Sequence, residues 1–244
     1  MPPMPEEKLK ILFATSEVAP LIKTGGLADV SAALPAALMA LGADIRVLVP
    51  GYPQLMEALN TKGRAATLPA LPGVPPAQLI ASKLPSGVPL LVIESAIYQR
   101  SGGPYQDAAG NDWLDNDLRF GLLSYVGALL STPDSPFPWK PDIVHCNDWQ
   151  TGLIPVYLRY VAGTPAKSVI TIHNLAFQGI FPAETAARLG LPPQAFSLSG
   201  VEYYGKTSFL KGALQFADRI TTVSPSYAEE IRHEPLGMGL QGLL

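Results

Sequence analysis

Short apolar segments alternate along this chain with segments that have the apolar spacing of a helix, and this alternation restricts the fold more than any other feature. Residues 10–15 and 45–49 are apolar runs typical of strands that are buried on both faces of a parallel sheet. Between them, apolar side chains recur every three or four residues from Leu27 to Leu41, which predicts a helix. Pro35 predicts a kink or a restart within this helix, and Gly42 predicts its end. Strand, helix and strand together make one right-handed βαβ unit.

The same alternation returns in the second half of the sequence. Further helices are predicted over 115–130, 149–160, 207–217 and 225–232, and further strands over 142–145, 168–172 and 219–223. The proline-rich residues 60–90 predict short strands, with antiparallel pairing as one option, and 88–93 predicts a better strand. The polar residues 98–112 predict a long loop, which in a compact domain is usually functional or mobile. The fold class that fits is α/β, doubly wound around a mostly parallel sheet, without an internal domain linker.

The composition excludes several classes of protein. Hydrophobic residues make up 48% and charged residues 15% of the 244 residues, which excludes a disordered chain apart from a short tail predicted over residues 1–7. The net charge of −3 provides no basic excess for binding a nucleic acid. The single cysteine, Cys146, excludes an internal disulfide and a multi-cysteine metal site. The sequence has no signal-peptide pattern or membrane span, so it predicts a cytoplasmic protein without a membrane or nucleic-acid partner.

Polar side chains are dense in four loops that follow predicted strands, after Thr15, His145, Ile172 and Val223. Ligands of doubly wound folds bind at the carboxyl ends of the strands, so chemistry is expected in these loops. The loops contain neither a Walker A motif nor the glycine motif of dinucleotide-binding proteins. The sequence also lacks the paired-histidine motif of zinc proteases and the nucleophile elbow of serine hydrolases, which disfavours both of those classes.

The loop after the first strand ends in Gly25 and Gly26, at the start of a predicted helix. Glycine lets the backbone approach a ligand closely, and free N–H groups at a helix N-terminus favour an anion. Lys23 adds a cation two residues earlier. Two interpretations stay open, an anion site and a tight turn with a solvated lysine. Asp29 is likewise either a ligand contact or a first-turn acid that the helix dipole favours.

The loops after two later strands supply the other candidates. Asp148 is either an N-cap of the next helix or a carboxylate that faces a hydroxyl-rich ligand, and Asn147 can hydrogen-bond locally. His173 comes directly after an apolar strand, which favours a functional role over that of a buried structural histidine. Cys146 is expected to be buried and inert, because neighbouring strand residues point to opposite faces and cannot pair readily as nucleophile and base.

Six segments together resemble the family of bacterial glycogen synthases and plant starch synthases, glycosyltransferase family 5. They are K-T-G-G-L-A-D-V (23–30), G-G-P-Y-Q-D (102–107), H-C-N-D-W-Q-T (145–151), T-I-H-N-L-A-F-Q-G (171–179), S-F-L-K-G-A-L (208–214) and T-V-S-P-S-Y (222–227). The resemblance runs from about Lys8 to the last residue, and the order and spacing of the segments make chance a poor explanation.

The resemblance implies a GT-B fold, in which two Rossmann-like domains face each other across a cleft. It implies transfer of glucose from ADP-glucose to the non-reducing end of an α-1,4-glucan, with retention at the anomeric carbon and without a metal or cofactor. The similarity covers only the N-terminal, acceptor-side domain, which we assign to residues 8–244. The C-terminal nucleotide-binding domain would then be a missing partner, and the chain alone is expected to be inactive. The oligomeric state stays open.

The resemblance also assigns roles to residues of this sequence. Lys23 is similar to the lysine that meets the phosphates of the nucleotide sugar, and Gly25 and Gly26 would bring backbone N–H groups to the same ligand. His173 is similar to the active-site histidine beside the transferred glucose, and Asp148 to the acid that faces the reacting sugar. Weaker candidates for contacts with sugar or acceptor are Glu17, Asp29, Tyr105, Asn147 and Asn174.

Gln150 departs from the family pattern, because some members have histidine there, so a role that needs a titratable group is not expected at this position. Two alternatives to a glycogen synthase remain from the sequence. One is a related retaining transferase that uses UDP-glucose, and the other is a glucan-binding module without turnover.

Overall fold

The computed structural model of the chain describes residues 8–59, 62–160 and 166–244, so the tail predicted over residues 1–7 lies outside the described residues. The strands are β1 Lys10–Ala14, β2 Asp44–Pro50, β3 Gly63–Thr67, β4 Ala77–Lys83, β5 Pro89–Ser95, β6 Ile143–Asn147, β7 Lys167–Ile172, β8 Ile180–Phe181, β9 Glu202–Tyr203, β10 Lys206–Ser208 and β11 Arg219–Thr222. The α-helices are α1 Gly26–Ala40, α2 Pro53–Ala58, α3 Asn116–Leu130, α4 Leu153–Tyr160, α5 Thr185–Arg188, α6 Phe209–Phe216 and α7 Pro225–Glu230.

Eight strands form one sheet in the order β11-β7-β6-β1-β2-β5-β4-β3. The six strands from β11 to β5 are parallel, and β4 and β3 extend the sheet with antiparallel pairs. The chain adds strands on one side of β1 and then returns to add β6, β7 and β11 on the other side. The order therefore reverses between β1 and β6, and such a switch point is where doubly wound sheets form their ligand crevice. The predicted fold class and the antiparallel pairing within residues 60–90 are confirmed.

The first predicted βαβ unit is present, with one difference in its helix. α1 runs without interruption through Pro35, so the helix does not restart there, and a kink at Pro35 stays a prediction. Pro35 is buried, and the packing of the helix compensates for the free energy that is lost because the proline ring removes one backbone hydrogen bond. Gly42, with a φ of 101°, follows the end of the helix as expected.

Two predicted helices begin later than the sequence suggested. Residues 149–151 form a 3₁₀ turn, and the α-helix starts only at Leu153. A β-carbon at Gly152, between the two, would lie 2.5 Å from the carbonyl oxygen of Phe209, so this glycine permits close contact with α6. Thr207 and Ser208 belong to strand β10 and not to the predicted helix, because β10 pairs with β8 and β9 in a small second sheet.

The predicted loop over residues 98–112 begins one residue later than expected. Tyr98 ends a 3₁₀ turn, is buried, and donates a hydrogen bond to the carbonyl of Arg119 at 2.7 Å. The loop itself is attached to α3, where Arg119 Nη1 donates to the carbonyl of Pro104 at 2.8 Å. Asn116 Nδ2 likewise donates to the carbonyl of Tyr105 at 2.9 Å. These contacts bring the loop over the carboxyl edge of the sheet.

The core covers both faces of the sheet, as the continuous apolar strands predict. Leu12, Phe13 and Ala14 of β1 are successive residues, and all three are completely buried. Across residues 8–59, 62–160 and 166–244, we find no helix with the length and apolar character needed to cross a membrane.

Candidate active site

The carboxyl ends of β1, β6 and β7 open into a cleft with a volume of about 430 Å³. Of the sequence candidates, seven line it: Glu17, Gly25, Gly26, Tyr105, Asp148, His173 and Asn174. Lys23, Asp29 and Asn147 are outside its lining in the described part of the chain. Most of the residues singled out in three separate loops thus meet at the switch point of the sheet.

His173 lies at one end of a short chain of hydrogen bonds that begins in β1. Asn147 Nδ2 donates to the carbonyl of Ala14 at 2.9 Å, which leaves the Asn147 Oδ1 atom 3.0 Å from His173 Nε2. Asn147 is completely buried, so its side chain supports the histidine from below the cleft. Burial lowers the pKa of His173, so the ring is neutral at pH 7. In that arrangement Nε2 carries the proton and Nδ1 is the hydrogen-bond acceptor.

Asp148 connects β6 to the backbone that follows β7. Its Oδ1 atom accepts hydrogen bonds from the backbone N–H groups of His173, at 2.7 Å, and Asn174, at 3.3 Å. Asp148 makes no capping hydrogen bond to the 3₁₀ turn that follows it, so the N-cap interpretation is wrong. Its φ of 56° and ψ of −173° lie in a backbone region that residues other than glycine rarely adopt, so the backbone at Asp148 is strained.

The carboxyl group of Asp148 is buried in the floor of the cleft. Burial raises its pKa from 3.8 to about 6, the two backbone N–H groups oppose this rise, and the negative charge of Glu17 adds to it. At neutral pH, Asp148 therefore carries its charge at a cost, and a strained, desolvated carboxylate in a cleft is typical of a functional group.

Residues 23–26, which we call the glycine segment, lead into α1 and contact Glu17. The Glu17 carboxylate accepts hydrogen bonds from the Thr24 hydroxyl at 2.7 Å, from the Thr24 backbone N–H, and from the Gly25 N–H at 3.3 Å. A β-carbon at Gly25 or Gly26 would meet no atom within 4 Å, and neither glycine has a positive φ. Neither packing nor backbone conformation therefore requires glycine at these positions, and the missing side chains leave open space beside the helix terminus.

Lys23 and Asp29 form an ion pair at the edge of this region. Lys23 Nζ lies 2.7 and 2.8 Å from the two carboxylate oxygens of Asp29. Both side chains are more than half exposed, at 51% and 59%. A pair that is this exposed contributes little to stability, so Lys23 can exchange Asp29 for another anion at small cost.

His145 and Cys146 take no part in the cleft. His145 Nε2 lies 2.6 Å from the hydroxyl of Thr171, and burial, with a smaller contribution from His173, lowers the pKa of His145 to about 4. Cys146 is completely buried, as predicted, and burial raises the pKa of its thiol, which disfavours the reactive thiolate. Among the described residues, no group of three or more His, Cys, Asp or Glu side chains could hold a metal ion.

Sequence reasoning missed several residues of the cleft. Thr24, Gln150 and Phe177 line it. The same three also line an adjoining cavity of about 450 Å³, which lies beneath residues 102–113, the part of the long loop that precedes α3 and that we call the 102–113 loop. The Gln150 side chain is buried, and its Oε1 atom has no hydrogen-bond partner in the described structure. The signal that could have found these residues is their place in the same strand-end loops as Gly25, Asp148 and His173.

Comparisons with known proteins assign the chain to one family. Residues 10–244 match the family model described as the starch synthase catalytic domain. The chain is 59% identical over 240 residues to a glycogen synthase of Nitrosomonas europaea, a match that covers 96% of this chain and 48% of that protein. It is 56% identical over 238 residues to a glycogen synthase of Aromatoleum aromaticum, covering 97% and 48%. The chain thus spans about half the length of the curated relatives it matches.

A solved structure supports the same assignment. The catalytic domain of starch synthase IV from Arabidopsis thaliana, bound to ADP and acarbose, superposes with a TM-score of 0.80 at 27% identity. The match covers 97% of this chain and 49% of that one. The mostly parallel sheet and its flanking helices are therefore those of a GT-B glycosyltransferase. The chain belongs to the starch synthase catalytic domain family, whose curated members include bacterial glycogen synthases.

Proposed function

We propose that this chain forms the acceptor-side wall of a glycogen synthase active site, which transfers glucose from ADP-glucose to the non-reducing end of an α-1,4-glucan with retention. The observation that carries the proposal is the meeting of His173 and Asp148 with the open amino end of α1 in one cleft. The relatives named glycogen synthase, and the starch synthase structure bound to ADP and acarbose, support this choice of substrates. We further propose that the reaction takes place in the cytoplasm.

The groups of the cleft suit different parts of these substrates. Gly26 carries one of the first N–H groups of α1, which lack a partner within the helix and favour a phosphate. The neutral ring of His173 offers its Nδ1 atom as acceptor for a hydroxyl of the transferred glucose. The Asp148 carboxylate provides negative charge near the position where positive charge develops at the anomeric carbon.

The charge of the cleft indicates that this wall is incomplete for the reaction. Its lining contains two acidic residues, Glu17 and Asp148, and among the described residues that line it none is Lys or Arg. A departing nucleoside diphosphate needs positive charge as its bond to the sugar breaks. Lys23, beside the cleft, supplies one cation. We therefore propose that further positive charge comes from a second domain across the cleft, like the part of the relatives that this chain does not match.

The purified 244-residue chain is expected to bind malto-oligosaccharides weakly, with Kd values around the millimolar range, and to transfer no glucose from ADP-glucose to glycogen. Calorimetric or NMR titration with maltohexaose and an assay for released ADP check the two parts. Turnover by the chain alone would contradict the incomplete-wall proposal. A glucan-binding module would also bind malto-oligosaccharides without turnover. Activity must therefore be tested in a longer protein to separate the two functions.

A chimera allows that test. In it, this chain replaces the matching segment of the Nitrosomonas europaea glycogen synthase, which is 59% identical over that length. Glucosyl transfer by the chimera supports the synthase, and an inactive chimera that still binds maltohexaose supports the binding module. Competition between ADP-glucose and UDP-glucose in the same assay tests the choice of donor.

Replacing Lys23 with alanine in the chimera is expected to raise the KM for ADP-glucose roughly tenfold, the scale of losing one hydrogen bond to a charged group. The KM for glycogen should change little. Lys83→Ala is the matched control, because Lys83 is an exposed lysine paired with the first residue of β5, at the opposite edge of the sheet. An unchanged KM for ADP-glucose in Lys23→Ala would remove this residue from the phosphate role.

A further inference from the structure

Glu17 joins two segments of the cleft that are distant in the sequence. Its Oε2 atom accepts hydrogen bonds from the backbone N–H groups of Thr24 and Gly25, just before α1. Its Oε1 atom accepts from the Thr24 hydroxyl and from the hydroxyl of Tyr105, which belongs to the 102–113 loop. Glu17 itself is only 2% exposed. Both oxygens of the carboxylate are therefore occupied by the protein, which leaves little capacity for a direct contact with a sugar.

The Tyr105 side of this connection is fixed independently of Glu17. The backbone on either side of the tyrosine is held by α3, through Asn116 to the carbonyl of Tyr105 and through Arg119 to the carbonyl of Pro104. Ser16 Oγ lies 2.8 Å from the Tyr105 hydroxyl oxygen. Burial, strengthened by the charge of Glu17, raises the pKa of Tyr105, so the phenol stays protonated and donates to the carboxylate.

The glycine segment is held more weakly on its own. Lys23 and Thr24 are exposed, and Gly25 and Gly26 have no side chain to pack. Two successive backbone N–H groups of this segment point to one carboxylate. A negative charge at this place is favoured by the dipole of α1, which has 15 residues. The bridge through Glu17 therefore sets the orientation of the N–H groups at the amino end of the helix.

We propose that Glu17 is a positioning residue that ties the Tyr105 loop to the glycine segment, so that an acceptor-side contact holds the phosphate-binding end of α1 in place. The bridge is a property of the folded chain, and only the identity of the phosphate ligand rests on the proposed function. The consequence is specific: losing the Tyr105 hydroxyl must loosen residues 24–25, although Tyr105 belongs to another loop.

Amide hydrogen exchange of the 244-residue chain tests the bridge directly. Tyr105→Phe is expected to speed exchange of the Thr24 and Gly25 amides by about tenfold or more, the scale of losing a hydrogen bond to a charged group. Glu17→Ala should speed it at least as much, and adding Tyr105→Phe to Glu17→Ala should bring little further change. Glu17→Gln, which keeps one acceptor oxygen, should restore part of the protection.

Tyr157→Phe is the matched control for the exchange experiment. Tyr157 is another largely buried tyrosine, and its hydroxyl donates to the carbonyl of Leu189 at 2.7 Å. Its removal costs a similar hydrogen bond but should leave exchange at Thr24 and Gly25 unchanged. If Tyr105→Phe leaves these two amides unchanged, or changes them no more than Tyr157→Phe does, the bridge does not position the segment and the proposal is wrong.

The chimera supplies a second readout that separates positioning from a direct contact with the acceptor. If Glu17 acts by positioning, Tyr105→Phe raises the KM for ADP-glucose several-fold, whether or not the KM for glycogen also changes. A change confined to the KM for glycogen would overturn the proposal. A chimera without any transferase activity would contradict the proposed function instead, and the exchange experiment would still decide the bridge.

Discussion

Replacing His173 with alanine in the chimera is expected to lower kcat at least ~100-fold, the scale of losing a well-placed polar group at the reacting centre. The KM for ADP-glucose should change much less, because the proposed contact of His173 is with the transferred glucose and not with the nucleotide. The expectation is checked by measuring kcat, the KM for ADP-glucose and the KM for glycogen in the unchanged chimera and in the His173→Ala chimera.

The physical reason lies in how the ring of His173 is held. Ala14 fixes the amide of Asn147, and Asn147 Oδ1 then lies 3.0 Å from His173 Nε2. The backbone N–H of the same histidine donates to Asp148 at 2.7 Å. Ring and backbone are thus oriented by two different buried groups, so in the proposed role the ring would offer a glucose hydroxyl an acceptor whose position is already set. Alanine removes this acceptor and leaves Asn147 Oδ1 without its partner.

His145→Gln is the matched control for this prediction. His145 is also largely buried and hydrogen-bonded, to Thr171, but it does not line the cleft in the described structure. Its replacement should lower stability while kcat stays within about threefold of wild type. If His173→Ala shows the same pattern, His173 is a structural histidine and the proposed role is wrong.

The elements that the sequence predicted best are those with a strong local signal. The βαβ unit over residues 10–49 is present because its two apolar runs and the helical spacing between them each fix one element. The start of α6 was misplaced because Thr207 and Ser208 pair with Phe181 and Ile180, a contact across more than twenty residues that no local pattern contains. The uninterrupted helix at Pro35 depends in the same way on packing.

The candidate site shows the same division between local and distant contacts. The rule that ligands bind at strand ends predicted which loops meet, because topology alone brings those ends together. It could not predict that Glu17 bonds to Tyr105, 88 residues away, or that Asn147 reaches Ala14, 133 residues away. The sequence left an N-cap open as one of two interpretations of Asp148, because the helix that follows is its neighbour in sequence and its actual hydrogen-bond partner, the backbone of His173, is 25 residues away.

Replacing Asp148 with asparagine is expected to stabilise the chain at pH 7.5 by about 2–3 kcal/mol, the free-energy equivalent of its pKa shift. In a domain of this size, that gain corresponds to a rise in Tm of roughly 4–12 °C. In the chimera the same variant should lower kcat at least ~100-fold, because it removes the charge that we propose lies near the anomeric carbon. Asparagine keeps an oxygen that can accept from the N–H groups of His173 and Asn174, and, being the same size as aspartate, it bears the same backbone strain at this position.

The sign of the stability change follows from the two pKa values of Asp148. Folding raises the pKa from 3.8 to about 6 through burial, so between these values the folded protein holds a proton that the unfolded chain has lost. The free energy of unfolding contributed by this group therefore falls as the pH rises from about 4 to about 6, and it stays low above that window. Asparagine is neutral at every pH, so its advantage should be complete above about pH 6 and absent at about pH 4.

Asp117→Asn is the matched control, because the same substitution there should change stability in the opposite direction. Asp117 is buried too, but its carboxylate lies 3.1 Å from both Arg188 Nη1 and the Thr185 hydroxyl. Removing its charge breaks an ion pair, which costs stability. Removing the charge of Asp148 instead relieves a buried carboxylate whose hydrogen bonds, within the described residues, come from backbone N–H groups. Denaturant unfolding at pH 4 and pH 7.5 measures both. A destabilised Asp148→Asn at pH 7.5 would contradict the proposal that this charge is kept for catalysis at the expense of stability.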